Sequence, residues 1–219
     1  MSAGTFVLFD FDGVIADTFA MASALAKRVC KENTIEKYKS AFEGNIYDSV
    51  EKDKPGGRRP DHGEGCEHEI DWWDEYQKSF EAGVSPFEGV VPAIRAIAQE
   101  HSLIIVSSGS ASFIKPFLEK CDIADLFLDI LDVDVHTHKT KKIEIIFEKY
   151  GVTAADCVFI TDTLGDIREA NEHALGTIAV AWGFHSHETL EKGVPFRIVD
   201  EPSELPDAVN DYFTVSTGP

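Results

Sequence analysis

The sequence is poor in basic residues. Twenty Lys and Arg stand against 39 Asp and Glu, for a formal net charge of −19. Such a surface repels nucleic acid and anionic lipid, whose phosphates are bound by clustered Lys and Arg, so neither is expected as a partner. An anionic ligand would then need a local cation, either a metal ion or one well-placed lysine. Long apolar runs are also lacking: none approaches the roughly 18 residues that cross a membrane. The opening Met-Ser-Ala-Gly-Thr carries no basic stretch, so no secretory signal is expected. Only four cysteines occur, Cys30, Cys66, Cys121 and Cys157, and none forms a CxxC pair. Reduced thiols and a cytoplasmic location are expected from that usage. Cys157 opens an apolar run and reads as a core residue.

What is present is a globular composition, 219 residues with 43% hydrophobic and 27% charged side chains. That length suits one domain, or one domain carrying a small insert. Short apolar runs at Thr5–Phe11, Leu103–Ser107, Leu126–Leu131, Val158–Thr161 and Ile178–Ala181 read as buried strands, with Arg197–Val199 as a sixth. Helix-period segments at Val91–Glu100, Ala111–Lys120, Lys142–Tyr150 and Ile167–Ala174 lie between them. Buried strands alternating with helices predict a doubly wound α/β domain, with a parallel sheet covered on both faces. Ligands bind such sheets beyond the carboxyl ends of the strands. Residues 15–85 break the alternation. Helical patterns at Phe19–Lys31, Ile35–Phe42 and Ile70–Phe80, around a Gly/Pro-rich stretch at Lys52–Gly65, predict a helical insert after the first strand.

The strand ends carry the chemistry. The first run finishes in Phe9-Asp10-Phe11-Asp12-Gly13-Val14, and on extended backbone Asp10 and Asp12 point the same way. Two adjacent carboxylates repel unless a cation separates them or one stays protonated. Asp12-Gly13 alone also suits an ordinary surface turn. The second run ends in Val106-Ser107-Ser108-Gly109-Ser110, where hydroxyls and free N–H groups at a helix start can form an anion site. Ser is also a routine N-cap, and the two roles can be divided between Ser110 and Ser107. After the third run come Lys139, Lys141 and Lys142, any one of which is ordinarily a solvated surface residue. The fourth ends in Asp162-Thr163-Leu164-Gly165-Asp166, where Asp166 also suits a plain helix-capping role. Four acids at one sheet edge would demand a hard cation with oxygen ligands, magnesium before others.

The order Asp-x-Asp, Ser, Lys, Asp-x-x-x-Asp resembles the haloacid dehalogenase superfamily of phosphohydrolases, in its phosphoglycolate-phosphatase-like form with a small helical cap. Asp17, Pro86–Val90 and Ala181-Trp182-Gly183-Phe184 are family-like as well, and only the middle of the insert falls outside the resemblance. It implies a core of residues 1–14 and 86–219 and a cap of residues 15–85. It implies a magnesium-dependent phosphatase acting on a small phosphorylated metabolite, with Asp10 as nucleophile and Asp12 as general acid and base. Ser107, Ser108, Gly109 and Lys139 would bind the phosphoryl group, and Asp10, Asp12, Asp162 and Asp166 would serve the metal. The spacing to Tyr150-Gly151 favours Lys139, with Lys142 as the alternative. Thr161 stands where the family usually has Gly.

A hexose-phosphate type phosphomutase shares all four motifs. A dehalogenase or a phosphonate hydrolase would lack Asp12. A non-enzymatic phospho-acceptor module would carry its acceptor Asp on a middle strand, and Gly13 comes too early for a calcium-binding EF-hand loop. In the insert, Arg58 and Arg59 are candidates for a second anionic group on the substrate. His62, Cys66 and His68 do not match a common zinc spacing. His136, His138, His185 and His187 read as loop residues, and at least one of Trp72 and Trp73 is expected to pack inside the insert. A monomer or a dimer is expected.

Overall fold

The computed structural model describes residues 4–48 and 72–216. The expected Gly/Pro-rich stretch, Arg58, Arg59, His62, Cys66 and His68 lie outside the described residues. Six strands form one parallel sheet: β1 (Phe6–Phe9), β2 (Ser102–Val106), β3 (Phe127–Leu131), β4 (Cys157–Thr161), β5 (Gly176–Val180) and β6 (Arg197–Val199), in the order β3-β2-β1-β4-β5-β6. The chain builds outward from β1 to β3, then returns to the other side of β1 for β4. The crevice where strand order reverses therefore lies at the carboxyl ends of β1 and β4.

β1 reads Phe-Val-Leu-Phe without a polar residue because helices cover both faces of the sheet. Alternate side chains part to opposite sides. Val7 and Phe9 join one hydrophobic cluster with Ile94, Ile114 and Val209, while Phe6 and Leu8 join another with Ile143, Ile146 and Phe159.

Helices α1 (Phe19–Val29), α2 (Ile35–Ser40) and α3 (Trp72–Glu81) fall between β1 and the next core helix, α4 (Val90–Ile97). The segments joining these helices to the sheet pair with each other. The Asp17 N–H donates to the Ser85 carbonyl (3.0 Å) and the Phe87 N–H to the Ile15 carbonyl (3.1 Å). Among the described residues the insert shares the core of the sheet: Ala22, Leu25, Tyr76 and Phe80 belong to the same cluster as Phe9 and Phe113. Trp72 packs against that cluster and Trp73 is exposed.

Beyond β2 come α5 (Ala111–Lys120), α6 (Lys139–Tyr150), α7 (Leu164–Asn171), α8 (His187–Glu191) and α9 (Leu205–Ser216). Two helices begin three residues before the periodicity suggested. Lys139 opens α6 and Leu164 opens α7, because a first turn carrying site residues is polar where the pattern sought apolar ones. The expectation of reduced thiols needs correction, since Cys30 is in a disulfide while Cys121 and Cys157 are free. His136, His138 and His185 lie in loops as expected, His185 buried and hydrogen-bonded there, whereas His187 is corrected: it opens α8. No helix among the described residues is long and apolar enough to cross a membrane.

Candidate active site

Asp10 immediately follows β1, and its N–H continues the sheet by donating to the Ile160 carbonyl (2.9 Å). Its side chain is buried. One carboxylate oxygen accepts the Phe11 N–H at 2.7 Å, and the other faces the Lys139 ammonium at 2.9 Å. The chain then turns back through Phe11–Ala16, closed by Gly13 N–H to Ala16 carbonyl and Ala16 N–H to Phe11 carbonyl. Gly13 has φ +78°, and a Cβ there would stand 2.0 Å from Asp162 Oδ2. Asp12-Gly13 is therefore a turn, but one pressed into the site and not free at the surface.

Lys139 is buried and extends from the first turn of α6 between two acids, 2.9 Å from Asp10 Oδ2 and 2.7 Å from Asp166 Oδ2. The same Asp166 oxygen accepts the Thr161 hydroxyl at 2.6 Å. The hydroxyl at this position thus bonds the site, giving Asp166 a second donor beside Lys139 that a glycine could not supply. The cap of α7 is Thr163, which accepts the Asp166 N–H, so the plain capping alternative for Asp166 does not hold. Asp162 is wholly buried at the end of β4. Its Oδ2 accepts the Phe184 N–H at 2.7 Å, and its Oδ1 has no hydrogen-bond partner.

The β2 end closes the other side. Ser107 is buried, and its Oγ accepts the Gly109 N–H at 2.9 Å, while Ser110 caps α5 by accepting the Ser112 N–H. Beneath it, the fully buried Lys142 donates to the Ser107 carbonyl at 2.5 Å. The two lysines, one turn apart on α6, thus divide the site: Lys139 meets the acids and Lys142 underlies the serine loop.

Electrostatics explains what this arrangement lacks. Burial raises Asp10 well above the ordinary carboxylate value, against the pull of Lys139. Burial lifts Asp162 to about 7. Burial acts likewise on Asp166, but the charge and hydrogen bonds of Lys139, with Thr161, hold it below the ordinary value. Burial also opposes the charge of Lys139, yet Asp10 and Asp166 carry its pKa upward. Burial, then the charge of Lys139, brings Lys142 down to about 8. Three buried carboxylates facing one paired ammonium form a pocket short of positive charge. The unpartnered Asp162 Oδ1 and an all-oxygen donor set suit a hard divalent ion. Among the described residues, however, no three acidic, His or Cys side chains already converge as a ligand cluster.

Sequence reasoning missed the residues that the insert and its neighbours bring. The Tyr76 hydroxyl, on α3, donates to Asp12 Oδ1 at 2.6 Å, and the Tyr47 hydroxyl donates to the Ser108 carbonyl at 2.7 Å. His185 Nδ1 accepts the Leu164 N–H, and its Nε2 lies 2.9 Å from the Lys39 carbonyl. The Asn45 amide donates to Glu169 at 3.0 Å, and Gly165 packs so tightly under Gly44 that a Cβ would stand 2.4 Å from its carbonyl. An aromatic residue on an amphipathic helix reads as core, so nothing local marked Tyr76 as a site residue.

A doubly wound sheet with buried acids and a lysine at its switch point defines the class of the molecule, an α/β protein with a carboxylate-centred site. The chain belongs to the haloacid dehalogenase-like hydrolases, whose family model matches residues 7–180. It is 27% identical over 155 residues to a probable phosphatase, IndB, of Dickeya dadantii, a match covering 66% of this chain and 67% of that protein. It is 26% identical over 124 residues to a phosphoglycolate phosphatase of Synechococcus elongatus, covering 56% of this chain and 58% of that protein. The match thus spans little more than half the length of the latter relative. A predicted phosphatase of Clostridium acetobutylicum shares the fold with a TM-score of 0.73 at 20% identity, covering 96% of this chain and 100% of that one.

Proposed function

We propose that this hydrolase is a magnesium-dependent phosphatase that cleaves a small phosphate monoester through an aspartyl-phosphate on Asp10. The observation that carries the reading is the Lys139 ammonium held between Asp10 and Asp166 at the sheet's switch point. A cation there steadies the nucleophile and faces the phosphoryl oxygens, and phosphoryl transfer needs little more than positioning and charge stabilisation.

In the first step an Asp10 oxygen attacks phosphorus, the bond from phosphorus to the leaving oxygen breaks, and that oxygen takes a proton from Asp12. Burial raises the pKa of Asp12, which suits an acid. In the second step water attacks the same phosphorus and gives its proton to Asp12. Inorganic phosphate leaves and the Asp10 carboxylate is restored. The Ser107 hydroxyl and the N–H groups around Ser108 and Gly109 receive the phosphoryl oxygens. Asp10, Asp162 and the main chain of Asp12 would hold magnesium, with Asp166 orienting the site, and the ion would neutralise charge on the transferring group. The insert acts as a cap that excludes water and selects the leaving group. Relatives named phosphoglycolate phosphatase make phosphoglycolate the first ester to test.

The test is phosphate release from a panel of sugar phosphates, nucleotides and phosphoglycolate, with magnesium and with a chelator, joined to acid-quench mass spectrometry of the peptide carrying Asp10. Magnesium-dependent turnover and a transient phosphoryl adduct on that peptide are expected. Full activity in Asp10→Asn would overturn the mechanism. Turnover that requires a sugar bisphosphate primer would instead indicate a mutase.

A further inference from the structure

The insert places one donor directly on the proposed acid. Tyr76 is buried on α3, packed against Phe113 (ring centroids 5.4 Å apart), Trp72 and Phe80. Its hydroxyl reaches Asp12 Oδ1 at 2.6 Å. Asp12 Oδ2 lies on the other side, toward the loop that follows β2, 3.2 Å from where a Cβ on Gly109 would stand. The two oxygens are thereby made unequal. An oxygen that accepts a Tyr O–H is poorly placed to hold a proton of its own, so a proton on Asp12 sits on Oδ2, facing the phosphate-binding loop. The buried Thr18 hydroxyl lies close enough to act on Asp12 as well, but among the described residues Tyr76 makes the short hydrogen bond to the carboxyl and is the larger of the two hydrogen-bonding influences on it.

We infer that Tyr76 is a positioning residue for general acid catalysis, through which the insert orients Asp12 so that Oδ2 protonates the leaving oxygen. This inference rests on the phosphatase reading above. It ties the chemistry to the placement of the insert: with α3 in position the acid is oriented, and with α3 displaced Asp12 keeps its carboxyl but loses the constraint on its rotamer. Removal of the hydroxyl alone should therefore cost most where the leaving group most needs a proton.

The experiment is a series of ring-substituted phenyl phosphates of similar size whose phenols span a range of acidity. kcat/KM is measured for wild type and for Tyr76→Phe, which keeps the ring packing and removes the hydroxyl. A positioned general acid contributes about 10²-fold or more, so losing its orientation should cost about tenfold with the least acidic phenol and less than about twofold with the most acidic. Phe80→Leu, a packing change on the same helix, should lower all members alike, and thermal melting reports whether each variant folds. A loss in Tyr76→Phe that is uniform across the series, or no loss at all, would overturn the inference while leaving the phosphatase reading intact. Absence of phosphatase activity in wild type on the series and on the ester panel would overturn that reading, and this inference with it.

Discussion

The carboxyl edge of the sheet and the helical insert reach the same site by different physics. At the edge, charge is paired in the dry interior: Asp10, Lys139 and Asp166 lie within 3 Å contacts, Thr161 adds a second donor to the same Asp166 oxygen, and the Phe184 N–H donates to Asp162. Among the described residues, the insert reaches the site mainly through neutral groups. Tyr47, Tyr76 and Asn45 each offer one or two hydrogen bonds, and Phe19, Tyr38 and Phe42 pack around Phe184. Buried charge pairs fail badly when one partner is removed, whereas a neutral hydrogen bond is worth about 1 kcal/mol. On the proposed function, that difference would separate a site that performs one chemistry from a surface that can be retuned for different leaving groups.

The largest expected effect lies at the edge. On the proposed mechanism Asp10→Asn keeps the shape and removes the nucleophile, so turnover should fall by several orders of magnitude for every ester alike, as phosphate-release kinetics will read. A loss confined to some esters would break the comparison, because it would make Asp10 a specificity residue.

Next come the lysines of α6. Lys139→Ala should lose about 10²-fold or more in kcat/KM, since an oriented cation in a dry site is worth several kcal/mol. Lys142→Ala should lose less activity, because its ammonium touches the Ser107 carbonyl and not an acid. Lys141, exposed and paired with Glu144, should change nothing measurable on replacement by Ala. A larger loss at Lys142 than at Lys139 would reassign the cation of the site.

Gly13→Ala should lower both activity and Tm. The positive φ alone costs an L-residue about 1–2 kcal/mol, and the added methyl would force Asp162 away from Phe184 N–H. A variant with wild-type Tm and kcat would show that the turn relaxes freely and that the edge is less tightly built than its contacts suggest.

The smallest effect sharpens the electrostatics. Asp162 is raised from an ordinary 3.8 to about 7 by burial. An acid with a raised folded-state pKa favours folding while protonated, and that advantage is lost as pH climbs from about 4 to about 7. With a chelator present, Tm should decline across that window, and Asp162→Asn should flatten the decline. Magnesium should flatten it in wild type as well. An identical Tm profile in wild type and Asp162→Asn would show that Asp162 is not a destabilising charge.

Much of this was written locally. Strands bury apolar runs and end where the chain turns polar, so Asp10, Ser107 and Asp162 each follow a recognisable segment, and parallel packing carries all three ends to one edge. Alternating segments pointed to a doubly wound sheet, because a helix is the usual crossover that lets successive short strands pair in parallel. Tertiary structure decided what spacing does not encode. It set the contacts of the two lysines: Lys139, which the spacing had favoured, reaches Asp10, while Lys142 on the same face of α6 stops at the Ser107 carbonyl, a division made by the packing of that helix. It turned Thr161 and His185 from unremarkable residues into buried hydrogen-bonding groups. It also brought Tyr76 to Asp12 across 64 positions of chain, a contact with no local signature because it depends on where the insert settles against the core.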